Sequence, residues 1–543
     1  MNNSVFRFSL PENEPVHEYA PGSASRTLLK QELERMAAAP IEIPLIIGGK
    51  EIRTGKTVDV VMPTDHGHVL ARAHMAGEAE VKLAIEAALA AKEEWSTLSW
   101  VERASVMLKA AELLSKRFRP RINAATMLGQ AKSAYQAEID AACEVIDFLR
   151  YNVYYASQIY GEQPQSPLDH LNRLEYRPLE GFVFTVSPFN FTAIASNLNT
   201  APALMGNTTV WKPATTSLLS SYVLMQVFME AGLPPGVINF VPGPGRVLSG
   251  VVLQHKMFAG LHFTGSNATF NGLWQTIAAN LTKYRSYPRI VGETGGKGFV
   301  FVHPSADPVE VATALVRGGF EYQGQKCSAA SRAYVPASLW PEIRQRVGDM
   351  LGRVKMGDVR DFRNFVNAVI DDASYTNIMS YIERAKASTD AEIVFGGTGD
   401  KSKGYFIQPT VIAVTNPTFL TMEEEIFGPV LTIYVYQDAR WEETLHVCDQ
   451  TSPYALTGAV FSRDRHAYVV ACRILRYAAG NFYLNDKPTG AMVGMQPFGG
   501  ARGSGTNDKA GGPLNLLRWI SPRTIKETSS PARDFEYPFM GEA

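Results

Sequence analysis

The chain is predicted to be an α/β protein built around parallel sheet, and three observations lead there. From Gly181 onward short apolar segments of strand length alternate with longer segments of helical period, as parallel strands joined by crossover helices do. The loops leaving those apolar segments, Ser187-Pro-Phe-Asn190, Lys212-Pro213, Pro242-Gly-Pro-Gly245 and Thr264-Gly-Ser266, carry the polar and small residues expected where such sheets bind ligands, at the carboxyl ends of strands. The length, 543 residues, exceeds one simple core and suggests two or three domains.

The elements follow in order. The first forty residues read as a loose arm, with Pro11, Pro15, Pro21 and Pro40 and one short helical stretch near Leu28–Ala37. Between Glu78 and Trp95 the residues Val81, Leu83, Ala84, Ala87, Leu89 and Ala90 recur at helical spacing, and the pattern returns over 101–118 and 120–159. After Gly161 the texture changes: Leu174–Leu179 reads as an extended strand and Gly181–Val186 as a buried one. Thr208–Trp211 is predicted as strand, Ser217–Ala231 as helix, and Val237–Phe240 and Gly260–Phe263 as strands. A second α/β region runs from about 297 to 510. A β-excursion over 165–180 and an alternating strand at the end of Asn515–Lys526 stand apart from both. No internal repeat or low-complexity segment interrupts this order.

Composition narrows the function. Hydrophobic residues make up 45% and charged residues 19%, an ordinary globular balance. Fifty-two basic against fifty-three acidic side chains give a net charge of −1, which excludes a strong global pull towards nucleic acid. No apolar run approaches the roughly 18 residues that span a membrane. Four scattered cysteines, Cys143, Cys327, Cys448 and Cys472, form neither a zinc spacing nor a disulfide framework, so no metal is expected and a reducing compartment fits. The first residues, with Glu12, Glu14 and Glu18, lack a signal core and an Arg-rich amphipathic pattern. The expected location is cytoplasmic, or the mitochondrial matrix if a presequence has been removed.

Cys327 is the foremost candidate for chemistry. It lies in Gln325-Lys-Cys-Ser328, and Glu293, in the glycine-rich turn Gly292–Lys297, lies 34 residues earlier. A thiol beside small and polar residues, with a carboxylate in such a turn, suggests a nucleophile and its general base. The nucleophile must be thiolate, which calls for partial exposure and a positive neighbourhood. Lys326, and a helix beginning at Cys327, are expected to supply these.

Each of these loops is weak evidence alone. In their order and spacing, however, Ser187–Asn190, Trp211-Lys-Pro213, Phe263-Thr-Gly-Ser266, Gly292–Lys297, Gln325-Lys-Cys327, Glu425-Ile-Phe-Gly-Pro429 and Pro497-Phe-Gly-Gly500 resemble the aldehyde dehydrogenase superfamily over nearly the whole chain. The resemblance implies that family's fold: a Rossmann-type NAD domain (1–164 and 181–296, with the N-terminal arm), an α/β catalytic domain (297–510) and a β-flap for oligomerisation (165–180 and 511–543). It implies that Cys327 attacks an aldehyde carbon, that the Asn190 amide and the Cys327 N–H hold the oxyanion, and that Glu293 activates the water that hydrolyses the thioester. NAD is the implied cofactor, contacted by Ser187, Phe189, Lys212, Gly265, Ser266, Glu425 and Phe427. Two departures stand out. Phe270 occupies the place of a second glycine common in relatives, and either caps an adenine pocket or packs inward. Thr215 stands where NAD-strict relatives often carry an acid, so NADP is expected to be tolerated.

Substrate choice is read from Asn485–Asn507. Asn485-Asp-Lys-x-Thr-Gly490, the following Gln496–Arg502, Ser187–Ile194, Ala201–Asn207 and Phe263–Phe270 are similar to the branch of the family that oxidises L-glutamate γ-semialdehyde, the hydrolysed form of 1-pyrroline-5-carboxylate, to L-glutamate. The resemblance places the substrate carboxylate on the N–H groups of Gly490 and Ala491 with the Ser328 hydroxyl, and the aliphatic part between Phe191 (or Phe189) and Phe498. Glu138 and Glu144, six apart on a helix, face different ways, so at most one meets the α-ammonium; Glu144 is assigned that role, against the alternative of a solvated face or a structural ion pair. The rival substrate is another short semialdehyde such as succinate semialdehyde. A homodimer or larger assembly is expected, with transient contact with a proline dehydrogenase motivated by the shared labile intermediate.

Overall fold

A computed structural model describes residue 6 and residues 8–542. The first sheet has seven strands. Five run parallel in the order Arg289–Glu293, Phe258–Thr264, Phe182–Val186, Thr209–Lys212 and Ile238–Phe240, and the antiparallel Leu45–Ile47 and Lys50–Ile52 close one edge. Phe258–Thr264 is buried at every position, because helices cover both faces and a strand there reads as one continuous apolar run rather than an alternation. The second sheet also has seven strands, in the order Ala391–Phe395, Thr410–Val414, Val430–Tyr436, Ala330–Pro336, Gly298–Val302, Thr457–Phe461 and Asn481–Leu484, all parallel except the first. The last strand of the first sheet leads through Thr294–Lys297 directly into the second, so the site-bearing glycine turn is the crossing between the two sheets.

Outside both, His170–Pro178 pairs antiparallel with Ile520–Thr528 over nine residues. A further sheet of Ile41–Ile43, Asp65–His74 and Thr57–Met62 went unread in the sequence. Its longest strand mixes His, Gly and Arg among the apolar positions, which hides the strand period. No helix among the described residues is long and apolar enough to cross a membrane.

Two expectations need correction. The helical pattern over 120–159 is not one helix: Arg119–Gln130 ends where Ala131 turns left-handed (φ 54°), Ser133 caps a new short helix, and a wide π-turn over Glu138–Glu144 precedes Val145–Gly161. The N-terminal arm is not loose either. Glu14 Oε1 accepts from Arg119 Nη1 at 2.5 Å, and Tyr19 Oη donates to Glu138 Oε2 at 2.6 Å. Arg119 also holds Glu138, and Asn123 Nδ2 donates to the same carboxylate at 2.7 Å. Polar residues without periodicity give no hint of such docking, because their partners lie more than a hundred residues away.

This cluster is buried, so its charges compensate one another at high stakes. Arg119→Ala would leave Glu138 without its cation and Glu14 with Arg150 alone, a change expected to cost about 3–5 kcal/mol. Calorimetric melting of wild type and variant measures it; equal melting temperatures would contradict the assignment.

Candidate active site

Glu293 ends the Arg289–Glu293 strand, and the turn after it packs against the thiol segment. A Cβ on Gly296 would stand 2.0 Å from the Cys327 carbonyl oxygen, so only glycine permits that approach. Gly292 is likewise required, since a Cβ there would stand 2.2 Å from the Phe270 ring. That ring resolves the two readings of Phe270: it is buried, stacked on Phe263 at 5.4 Å and packed inward.

Cys327 is half-buried, between the 3-10 turn Glu321–Gly324 and the Ala330–Pro336 strand. No helix begins at it, contrary to expectation. The approach is held by an unusual backbone: Tyr322 and Gln323 are both left-handed, at φ 53° and 54°. Such residues cost on the order of 1–3 kcal/mol each and persist where surroundings fix them. Gln323 is fixed by its own amide, whose Nε2 donates to the carbonyls of Ala131 (3.0 Å) and Ala368 (2.8 Å) while its Oε1 accepts from Asn367 N (2.9 Å). Asn190 Nδ2 donates to the Gln325 carbonyl at 3.1 Å, which brings the amide beside the thiol segment.

The electrostatics differ from the expectation. Lys326 does not provide a positive neighbourhood: its ammonium pairs with Glu321 at 3.5 Å, and burial lowers it to about 8. The thiol is instead pushed well above its usual range, first by burial and then by the charges of Glu293 and Glu425. Burial, with a contribution from Asp508, raises Glu293 to about 8. Burial raises Glu425 to about 7, although its Oε1 accepts from Gly296 N at 2.7 Å.

The loops singled out for a dinucleotide gather at the carboxyl edge of the first sheet. Ser187 N donates to the Lys212 carbonyl at 3.1 Å, and Trp211 Nε1 donates to Ser187 Oγ at 2.9 Å. Gly265 N donates to the Glu293 carbonyl at 3.2 Å. Ser266, exposed, caps the helix Asn267–Ala279 by accepting from Thr269 N. Phe189 meets Phe427 edge-on at 5.8 Å, and Phe427 is left-handed at φ 58°. Lys212 is half-buried, and burial alone depresses its ammonium. An ammonium with no neighbouring carboxylate among the described residues, a solvent-facing helix start and a half-buried carboxylate at Glu425 fit a ligand with ribose hydroxyls and phosphates.

On the substrate side, Ser328 Oγ and Thr489 Oγ1 lie 2.8 Å apart, tying the segment after the thiol to the loop that presents Gly490 and Ala491. Gly490 is exposed with φ +97°, a conformation that disfavours a side chain. Ala491 is half-buried, and Phe498 is fixed by reciprocal bonds with Ala510 at 2.8 Å. Phe191 lies under the Lys132 ammonium, 3.9 Å from its ring centre.

The two helix carboxylates part company here. Glu138 is consumed by the Arg119 cluster. Glu144 is raised well above its usual range, first by burial and then by the charge of Asp140. The π-turn over Glu138–Glu144 widens the helix and separates the two directions. Sequence reasoning missed Lys132 and Asp140, a buried pair at 2.7 Å. Asp140 also accepts from Thr192 N (3.0 Å) and Ala193 N (2.9 Å), fixing the helix start that follows Asn190. Neither residue carries a local signal; their meaning lies in the partner.

Comparisons with known proteins show what the whole chain is similar to. The Aldehyde dehydrogenase family profile matches residues 51–525. The mitochondrial delta-1-pyrroline-5-carboxylate dehydrogenase of Dictyostelium discoideum is 54% identical over 98% of this chain and 96% of its own. Its human counterpart, also described as mitochondrial, is 48% identical over 97% of this chain and 94% of its own. The crystal structure of the delta-pyrroline-5-carboxylate dehydrogenase from Mycobacterium tuberculosis bound with NAD superposes with a TM-score of 0.96 at 51% identity, covering both chains fully.

Proposed function

The chain belongs to the aldehyde dehydrogenase family, and from that premise we propose that it is the enzyme oxidising L-glutamate γ-semialdehyde to L-glutamate with NAD in proline degradation. The observation that carries the reading is the meeting of Cys327, Glu293 and Asn190 where the two sheets cross, with the Gly490–Ala491 loop tied to Ser328 through Thr489.

Cys327, once deprotonated, adds through Sγ to the aldehyde carbon. The oxyanion that forms is held by the Asn190 amide and the Cys327 N–H, after Asn190 exchanges its bond to the Gln325 carbonyl for one to the substrate. Each such donor contributes about 3–4 kcal/mol. NAD, when bound, supplies the two-electron oxidant that takes the hydride from the thiohemiacetal carbon. Lys212, Ser187, Gly265, Ser266, Glu425, Phe189 and Phe427 are the residues that would hold it. A thioester on Cys327 is left, and Glu293 as carboxylate draws a proton from the water that hydrolyses it, releasing glutamate and the thiol. Gly490, Ala491 and Ser328 bind the substrate carboxylate, Phe191 and Phe498 flank its chain, and Glu144 faces its ammonium. Thr215, in place of an acid, underlies tolerance of NADP.

The domain division read from the sequence fits this scheme. The nine-residue pair His170–Pro178 with Ile520–Thr528, projecting from both sheets with Leu171 exposed, supports assembly into at least a dimer. The reactive intermediate shared with proline dehydrogenase motivates transient contact between the two enzymes.

NADH formation with pyrroline-5-carboxylate, beside succinate semialdehyde and a simple alkyl aldehyde, tests the reading. kcat/KM is expected to favour the first by on the order of a hundredfold, since an unpaired anchor site rejects a ligand lacking its groups. Comparable values on all three would leave the family chemistry standing and remove the substrate assignment.

A further inference from the structure

We infer that Asn13, on the N-terminal arm, is a positioning residue for substrate selection: it clamps the loop that presents Gly490 and Ala491. Asn13 Nδ2 donates to the Val493 carbonyl at 2.9 Å and to Asp147 Oδ2 at 2.7 Å, bridging the loop and the helix Val145–Gly161 across 480 residues of sequence. Tyr151 Oη, from the same helix, donates to Asn13 Oδ1 at 3.1 Å and so fixes which way the amide points. The arm cannot slide, because Glu14 N donates to the other oxygen of Asp147 at 2.7 Å.

The loop is bound to little else on this side. Gly494, at φ +81°, lies flat on the Tyr151 ring, where a Cβ would stand 2.1 Å from a ring carbon. Val493 is buried and packs near Gly511. Its neighbours Met492 and Met495 are exposed. A loop with exposed residues on both sides of one buried anchor takes its shape from that anchor. Asn13 secures the Val493 carbonyl, three residues along the chain from Gly490. It acts through that backbone and reaches neither thiol nor substrate.

The inference rests on the proposed substrate, whose carboxylate the loop binds. In Asn13→Ala, KM for pyrroline-5-carboxylate should rise on the order of tenfold, as expected when three part-buried bonds are lost, one of them the bond to the loop. kcat should stay within about twofold, because the thiol, base and oxyanion donors are untouched. KM for NAD and for a simple alkyl aldehyde, which has no carboxylate to anchor, should not move. Tyr151→Phe keeps the ring against Gly494 and removes only the hydroxyl bond; a rise of about two- to threefold in the same KM is expected, and this variant serves if Asn13→Ala fails to fold. Unchanged KM for pyrroline-5-carboxylate in the folded variants would overturn the clamp, as would equal losses on both aldehydes. Failure of the wild type to turn over pyrroline-5-carboxylate would instead remove the substrate reading beneath it.

Discussion

Cys327→Ala is expected to abolish aldehyde oxidation, by on the order of 10⁴–10⁶-fold in kcat, while NAD still binds. The side chain is half-buried in a turn whose backbone is held from elsewhere, by Gln323 and by the contact with Gly296. Removing one sulfur therefore leaves Lys212, Ser266 and Glu425 where they are. Steady-state rates and calorimetric titration with NAD measure the two halves separately. Turnover near wild type would remove the nucleophile; joint loss of activity and NAD affinity would point to a structural role.

The thiol's surroundings set the condition for its attack. Burial and the charges of Glu293 and Glu425 keep Cys327 protonated around neutral pH in the free protein. Attack therefore requires its proton to leave and the local negative charge to be offset. Neither Cys327 nor Glu293 has an ordinary value: burial raises both, the charge of Glu293 adds to the thiol's shift, and Asp508 adds to that of Glu293.

Glu293→Gln is expected to slow hydrolysis of the thioester by about 10²–10⁴-fold. Acylation should survive, giving a burst of NADH close to one equivalent of sites followed by a slow phase. Mass spectrometry of the quenched enzyme should show the acyl group on Cys327. A steady-state rate like wild type, with no acyl-enzyme, would refute the base. The pH dependence adds a second check. The carboxylate is the active form, and its fraction grows as pH rises through about 8. The hydrolysis-limited wild-type rate should therefore fall below about pH 8, approaching tenfold per unit, and the variant should lose that limb. Stopped-flow measurement across pH separates the two.

The chemistry-bearing motifs could be read in the sequence because each is local. Gly292–Lys297 and Gln325–Ser328 state their residue types in short order, and Gly292 and Gly296 are glycine for contacts that no other residue permits. The four central strands of the first sheet were legible because burial on both faces writes an apolar run, while Leu45–Ile47, Lys50–Ile52 and Arg289–Glu293 towards its edges went unread. Glu138 and Glu144 were not separable on the same terms: identical side chains on one helical stretch ended in different surroundings, one paired within the Arg119 cluster and one raised by burial and by Asp140.

Sequence by itself thus determined the α/β class and the family, and it supplied the proposed thiol, carboxylate and amide, since these depend on residue type and on spacing along the chain. The tertiary structure decided the rest. It turned Lys326 away to Glu321, leaving the thiol among carboxylates, and it folded Phe270 inward. It also brought Asn13 against Val493, joining the arm to the substrate loop. Charge, burial and hydrogen bonding act through space over a few ångströms, and a linear chain does not record which distant residues will arrive within that range.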